Sequence, residues 1–362
     1  MPKLNTPLKL SPVFKPKIWG KNDLSPLFDE RPREAVVEAP TQGVSDKDEP
    51  IGEAWLTGED CRFLSGPIAG MTLGEASEKF RSELHGSSWK GPCFPILAKF
   101  IFTSDWLSVQ VHPDDRYAKA HEPGSVGKCE TWYVVQAEPE AEILLGLIPK
   151  TTPEMLRSAC ERGVSRDLLH RFRPKAGEGI YVPPGTAHAL GPGLVLFEAQ
   201  QNSDLTYRLD DFGRLGLDGK PRPLHLEKGL AVTKPELPTH RNLPRVVMRE
   251  PFGFRRLVVA SRHFAVEELT LQKAAHCKAA SERVETLAIL AGAGRVETAS
   301  GWLGYRAGDT WVVPPGAGPY RLSPVEKTRL LKFYVPDLDR DFRRVRSRRG
   351  FKAAEVRNIL FD

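Results

Sequence analysis

Four side chains in this 362-residue sequence have the types and spacing to hold one metal ion. Gln110 and His112 lie two apart in Leu-Ser-Val-Gln-Val-His-Pro-Asp-Asp (107–115), Glu130 closes Gly-Lys-Cys-Glu (127–130), and His188 closes Tyr-Val-Pro-Pro-Gly-Thr-Ala-His (181–188). An extended run sends alternate side chains to one face, so Gln110 and His112 project together. Glu130 and His188 arrive from separate strand-like runs. Taken singly each is an ordinary strand or turn residue; together they read as one divalent-metal site assembled on β-strands. Imidazole with carboxylate and amide oxygen suits zinc, one ion per chain, with a coordination position left open. That describes a catalytic metal rather than a closed structural one.

The elements that must position these residues are mostly short strands. Thirty-one Gly and thirty-one Pro point to many turns. Strand-like runs fall at 107–111, 131–136, 143–147, 179–182, 194–199 and 205–209, and a second set at 258–260, 264–271, 287–290, 309–313 and 330–335. Between the sets, 235–253 is Pro-rich and basic, a linker by composition. One helical interruption is expected over 152–172. Thr152-Pro153-Glu154 has the form of an N-cap followed by Pro at the first helical position, and a second short helix is expected at about 165–172. Asp114 and Asp115 suit capping a turn or helix, and 224–230 reads as a short helix. Residues 29–50 are polar and acidic, ending in the loop-like Asp46-Lys47-Asp48-Glu49-Pro50.

Composition narrows the class. Forty per cent hydrophobic and 27% charged residues are ordinary for a soluble globular protein, and 362 residues allow two domains. No run of about 18 apolar residues and no apolar leader is visible, so the expected compartment is the cytoplasm, with no membrane association. Cys61, Cys93, Cys129, Cys160 and Cys277 form no Cys-x-x-Cys pair, which fits a reducing compartment and argues against a thiolate zinc site. The net charge of +6 is concentrated late, in Arg340, Arg343, Arg344, Arg346, Arg348, Arg349 and Lys352. Without interleaved aromatics or a zinc finger this run argues against nucleic acid as a partner and reads as a solvated tail.

A repeat separates two halves. Ala-Gly-Glu-Gly-Ile-Tyr-Val-Pro-Pro-Gly-Thr-Ala-His (176–188) and Ala-Gly-Asp-Thr-Trp-Val-Val-Pro-Pro-Gly-Ala-Gly-Pro (307–319) share the frame Gly-x5-Pro-x-Gly, once at Gly177 and once at Gly308. The frame resembles the second motif of the cupin superfamily, a jelly-roll β-barrel. In the first copy the frame ends on His188; in the second it ends on Pro319, which carries no ligand atom. The expected fold is therefore mainly β, two cupin-like jelly-roll barrels with a small helical insertion. Its expected units are residues 1–235 as the metal-binding domain with the insertion at 152–172, residues 236–336 as a degenerate second domain, and residues 337–362 as the basic tail.

A narrower likeness follows. The 107–115 string with Tyr117-Ala118, Gly-Lys-Cys-Glu followed by Trp132-Tyr133-Val134, the Pro-Pro-Gly-Thr-Ala-His turn, and Gln200-Gln201-Asn202-Ser203-Asp204-Leu205-Thr206-Tyr207-Arg208 occur in that order. With Lys17-Ile18-Trp19-Gly20 and Gly52-Glu53-Ala54-Trp55 added, the chain resembles the shorter bacterial branch of type I mannose-6-phosphate isomerases from about residue 12 to 336. The resemblance implies zinc on Gln110, His112, Glu130 and His188, and a substrate pocket lined by Ser108, Lys128 and Arg208. Cys129 stands where Thr or Ser is commoner, and Lys21 replaces a frequent Gly. Cys129, beside a ligand, raises the expectation of an oxidation-sensitive site.

The implied reaction interconverts mannose 6-phosphate and fructose 6-phosphate through an enediolate, so a sugar phosphate is the expected partner. Zinc there acts as a Lewis acid on charge present only in the transition state. In the alternating run 205–209, Thr206 and Arg208 point away from the Leu/Tyr/Leu face, toward the pocket. Arg208, always charged, suits clamping an oxyanion, and Lys128 suits proton transfer if desolvation lowers its pKa. Trp19, Trp55 and Trp132 are read as core rather than sugar-stacking platforms. Two other readings stay open. A metal-dependent cupin dioxygenase would use His112, Glu130 and His188 with Gln110 behind them, and a non-catalytic sugar-phosphate regulator would keep the metal without turnover.

Overall fold

The computed structural model describes residues 2–29, 36–37, 49–237, 243–343 and 353–361. Its strands form two pairs of sheets. In the first half a seven-stranded sheet runs in the order Gly179–Val182, Glu130–Ala137, Leu194–Gln201, Ile96–Phe102, Ile51–Trp55, Val13–Lys21, Val36–Val37. It faces a five-stranded sheet in the order Tyr207–Asp210, Val109–Val111, His188–Leu190, Ile143–Leu147, Leu169–Phe172. The second half repeats the plan. An eight-stranded sheet includes Thr310–Val313, Glu285–Ala291, Thr328–Tyr334, Ala265–Leu271, Gly253–Ser261 and Val246–Glu250 in that order. A four-stranded sheet runs Ala275–Lys278, Pro319–Pro324, Gly294–Thr298, Gly301–Tyr305. The protein is mainly β, as the turn-rich composition and the repeat lead one to expect.

The alternation of each large strand decides what is buried where. In Leu194–Gln201 every residue is buried, because Val195, Phe197 and Ala199 pack against the second half while Leu194, Leu196 and Glu198 face the first barrel's interior. The two large sheets lie back to back through Phe100, Phe197, Val266 and Phe333, with the Phe197 and Phe333 rings 5.3 Å apart. Removing such broad apolar faces from water is the main term holding the halves together. The N-terminal strand crosses to the second half, whereas the C-terminal one stays within it. Leu8–Leu10 pairs with Thr310–Val313, and Leu360–Phe361 pairs in parallel with Gly253–Ser261.

The repeat has a shared backbone cause. Gly177 and Gly308 both sit at positive φ, +85° and +82°, ahead of strands Gly179–Val182 and Thr310–Val313. Only glycine takes that conformation without strain. Of the expected helices, Pro153–Glu161 forms with Thr152 accepting from the Met155 amide, and Asp114 likewise caps Asp115–His121. Leu226–Val232 forms near the expected 224–230.

Three local readings need correction. Residues 165–172 are not one helix: Ser165–Leu168 is a 3₁₀ turn pinned by the buried Asp210 carboxylate, and Leu169–Phe172 is a strand on Ile143–Leu147. An available strand partner overrides a short helical periodicity. Helix Leu73–His85, closed by a reciprocal Thr72–Glu75 capping box, was not foreseen, although Thr-x-x-Glu is a readable start signal. The C-terminal region is not wholly a solvated tail, because Phe342, Val356 and Ile359 are buried against Leu257 and Tyr334. Arg344, Arg346, Arg348, Arg349 and Lys352 lie outside the described residues, as do 30–35 and 38–48 of the acidic loop.

Candidate active site

The first barrel's two sheets deliver the four expected ligands to one point. His188 opens strand His188–Leu190 directly opposite Gln110, Arg208 flanks Gln110 on the other side, and Glu130 opens its strand opposite Val182. Loop contacts fix the approach: the Gly185 amide donates to the His112 carbonyl at 2.9 Å and the Lys128 amide to the Pro113 carbonyl at 3.0 Å. Gly127 is required there, since a Cβ would lie 2.5 Å from the Asp115 amide nitrogen. With that crowding removed, the loop presents Lys128 beside Glu130.

His112, Glu130 and His188 are all buried and can offer ligand atoms within 4.8 Å of one another. His112 Nε2 is 3.5 Å from Glu130 Oε2, and His188 Nε2 is 3.3 Å from Oε1. The far nitrogens are already committed. His112 Nδ1 lies 3.0 Å from the Leu205 carbonyl and His188 Nδ1 2.9 Å from that of Thr186, so each ring donates there and turns an Nε2 lone pair inward. Burial, with Lys128 nearby, lowers the His112 pKa to about 4. Burial lowers that of His188 too. Burial pushes Glu130 up, but Lys128 and the two rings outweigh it and hold the carboxyl well below its usual range. Yet His112 Nε2 and both Glu130 oxygens make no hydrogen bond, although the Lys128 ammonium lies 3.2 Å from Glu130 Oε2 as a charge contact. Neutral imidazoles, an ionised carboxylate and buried unfilled lone pairs are the condition a divalent cation satisfies. The Gln110 amide nitrogen lies 3.2 Å from His188 Nε2, so turning the amide over brings its oxygen to the same point.

A cavity of about 250 Å³ opens beside these residues, lined among others by Ser108, Gln110, Lys128, Thr206 and Arg208. Every residue expected at the pocket is there, and Thr206 and Arg208 face it as the strand alternation requires. Arg208 donates through Nη1 to the Pro223 carbonyl at 2.8 Å while its buried Nε has no partner, leaving a guanidinium edge for an anion. Trp19 and Trp132 are buried and also line the cavity, so they are core and pocket wall at once.

Two expectations change. Burial works to lower the Lys128 pKa, but Glu130, 3.2 Å away, and Glu198 raise it above the usual lysine value. Lys128 is an ammonium here rather than a ready base. The Cys129 thiol is buried, donates to the Tyr181 hydroxyl at 3.2 Å, and is pushed up by burial to about 12. Oxidation needs an accessible thiolate, so Cys129 is not the sensitive point expected.

Sequence reasoning missed a charge group lining the cavity and centred on the buried Lys99. Lys99 Nζ is 2.8 Å from Asp204 and 3.8 Å from both Glu53 and Glu198. Burial and the Glu130 charge push Glu198 up to about 7, while Trp132 Nε1 donates to it at 2.9 Å. Lys17 and Arg222 add positive charge to the lining. A readable signal existed: Ile-Leu-Ala-Lys-Phe-Ile-Phe (96–102) and Leu-Val-Leu-Phe-Glu-Ala-Gln-Gln (194–201) each carry one ionisable residue inside an apolar strand.

Residues 8–150 match the family described as phosphomannose isomerase type I, catalytic domain. Mannose-6-phosphate isomerase ManA of Bacillus subtilis is 34% identical over 321 residues, covering 87% of this chain and 95% of that protein. The chain belongs to this isomerase family. The mannose-6-phosphate isomerase of Streptococcus mutans is 34% identical over 313 residues, 85% of this chain and 92% of its own. The crystal structure of the mannose 6-phosphate isomerase from Bacillus subtilis superposes with a TM-score of 0.80 at 28% identity, covering 91% of this chain and 99% of that one. Family membership sets the oxygenase and non-catalytic readings aside and makes this chain an isomerase.

Proposed function

We propose that this isomerase interconverts mannose 6-phosphate and fructose 6-phosphate through an enediolate. In this reading Gln110, His112, Glu130 and His188 hold one zinc ion, and residues 1–235 form the catalytic unit. The observation that carries the reading is the convergence of three buried ligand atoms that make no hydrogen bond, on His112 and Glu130, beside a cavity rich in cations. Bound zinc supplies Lewis-acid stabilisation of charge that develops on the C1 and C2 oxygens. The chain's own residues do the rest. Arg208 and Arg222 hold anionic oxygen, and Ser108 donates a hydrogen bond from the pocket wall. Lys128, kept charged, steadies developing negative charge on the C1 oxygen, gives it a proton and takes back the proton that the C2 hydroxyl loses. A proton must leave C2 and one must be delivered to C1; Glu198, with its pKa about 7, is the acceptor suited to that exchange near neutral pH. The buried Lys99, paired with Glu53 and Asp204, keeps Glu198 oriented. The five free cysteines suit a cytoplasmic setting.

The test is a coupled assay reading fructose 6-phosphate formed from mannose 6-phosphate, with metal analysis of the same sample. Turnover that disappears with a chelator and returns with zinc supports the proposal. Full turnover in protein that holds no divalent metal ends it.

A further inference from the structure

The residues that carry Lys128 into the cavity lie ahead of strand Glu130–Ala137, so loops and side chains rather than a ladder must take their backbone amides. Three consecutive amides find such partners. Gly127 N donates to Asp115 Oδ1 at 2.9 Å, Lys128 N to the Pro113 carbonyl at 3.0 Å, and Cys129 N to Gln201 Oε1 at 3.0 Å. The buried Gln201 closes the set. Its Nε2 donates to the same Asp115 Oδ1 at 2.9 Å, and its backbone amide donates to the Cys129 carbonyl at 3.1 Å. Two residues on, Ser203 Oγ donates to the Val126 carbonyl at 2.9 Å. Asp115 leaves helix capping to Asp114 and serves the loop instead. One side-chain amide thus ties the 107–115 and 127–130 strings to the 200–208 string beside Lys128.

The second barrel shows what is particular to this arrangement. Val182 lies opposite Glu130, and Val313, its counterpart in the repeat, lies opposite Glu285. Along the large sheets Glu198 pairs with Trp132 and Lys99 as Lys332 pairs with Leu287 and Glu267. Glu53 opposite Ile101 matches Arg255 opposite Leu269. On the small sheets Lys278 faces Pro319 as Gln110 faces His188, which puts Ala280 at the His112 position. By the same register Val284 matches Cys129, and Val335, one residue past Tyr334, matches Gln201. Valine offers no side-chain acceptor. The Val284 amide donates instead to the His85 carbonyl at 2.9 Å, at the end of helix Leu73–His85. A backbone carbonyl is therefore enough to hold such a loop. In the catalytic barrel the acceptor is a side chain bonded to the string that carries His112.

We infer that Gln201, together with Asp115, is the positioning residue that sets Lys128 for the isomerisation. The inference rests on the proposed role of Lys128. Lys128 acts on charge that appears only in the transition state, so displacing it lowers kcat. Ser108, Arg208 and Arg222 hold the substrate from other elements, so KM is spared.

Gln201→Met keeps the length of the side chain and removes both of its hydrogen bonds. In the full-length, zinc-supplemented protein kcat falls roughly 10- to 100-fold, while KM for mannose 6-phosphate stays within twofold. Hydrogen exchange read by mass spectrometry reports on the loop itself. The peptide spanning 125–131 exchanges faster than in wild type, and strands Val109–Val111 and Tyr207–Asp210 keep their protection. Asn202→Ala is the control for ordinary loss of packing. Asn202 Nδ2 donates to the Phe94 carbonyl at 2.7 Å, and its removal lowers the melting temperature at unchanged kcat and unchanged loop exchange. Asp115→Ala, at an exposed position, removes the shared acceptor and gives the Gln201→Met pattern even if that variant folds poorly. The double variant falls no further than the lower single one, because the two side chains act as a unit. Wild-type kcat in Gln201→Met, a rise in KM in place of the fall in kcat, or unchanged exchange over 125–131 overturns the inference. Lys128→Met, measured alongside, separates the errors. Loss of kcat there with none in Gln201→Met ends the role of Gln201 alone. Wild-type kcat in Lys128→Met ends the reading of Lys128, and the inference with it.

Discussion

At matched positions the two barrels carry charges of opposite sign: Lys99 against Glu267, Glu198 against Lys332, Glu53 against Arg255. Both groups are internally paired, Lys99 with Asp204 at 2.8 Å and Lys332 with Glu285 at 3.2 Å. A jelly-roll interior evidently tolerates an ionised ladder of either sign provided each charge meets its opposite. What distinguishes the barrels is the small sheet and the loops feeding it. They carry Gln110, His112 and His188 in one case, and Lys278, Ala280 and Pro319 in the other. The large sheet supplies a carboxylate to both; only the small sheet adds the imidazoles on which the proposed metal site rests.

The largest effect that sharpens this contrast comes from the ligands. His112→Ala or His188→Ala takes from Glu130 one of the two imidazoles that Glu285 lacks. Metal content should fall, and kcat by on the order of a thousandfold, the equivalent of several kcal/mol of lost charge stabilisation. Wild-type metal stoichiometry and turnover in both variants would erase the distinction between the barrels.

Next come the matched positions on the neighbouring strand. Glu198→Gln removes the proposed proton acceptor and should lower kcat by roughly 10²–10⁴ with a modest change in melting temperature. Lys332→Met, at the same register in the second barrel, breaks a buried pair and should cost about 3 kcal/mol of stability while kcat stays within twofold of wild type. Urea unfolding and steady-state assays of the two variants read this crossing pattern directly. Equal losses of activity would mean that the barrels are functionally coupled.

The third effect is a pH dependence. An acceptor must be ionised to take a proton, and the Glu198 pKa is raised by burial and Glu130 to about 7. The active fraction therefore grows as pH rises through about 7 and shrinks below it. Plots of kcat/KM against pH should show that limb in wild type and lose it in the residual activity of Glu198→Gln. An unchanged limb would assign it elsewhere.

The legible part of this fold was the part with a local cause. Strands 143–147 and 179–182 coincide with their expected bounds because each is an apolar run between turn residues. The convergence of Gln110, His112, Glu130 and His188 was legible because imidazole, carboxylate and amide at those spacings have few other uses together. The charge exchange between barrels was not legible, since Lys99 and Glu267 are 168 positions apart in the chain and are matched only through sheet register. Helix expectation failed at Leu169–Phe172 for a similar reason: its strand partner, Ile143–Leu147, lies more than twenty residues upstream. Lys128 was misjudged on electrostatics. Burial alone argues for a lowered pKa, but Glu130 at 3.2 Å reverses the sign, and that distance belongs to the fold.

Cys129 gives the smallest effect and the narrowest check on the site's packing. It is the one thiol next to a ligand, yet it donates to Tyr181 and is held at about 12 by burial. At neutral pH almost none of it is thiolate, and iodoacetamide reaches only thiolate. Alkylation of the folded enzyme should therefore modify the half-buried Cys93 ahead of Cys129 and leave turnover unchanged, with peptide mass mapping to identify the sites. Cys129→Ser should cost little activity, because Ser also donates to the Tyr181 hydroxyl and coordinates nothing in this arrangement. Rapid alkylation at Cys129 with loss of metal would show that the Glu130 strand opens to solvent. The buried lone pairs on which the proposed metal site depends would then be exposed in solution.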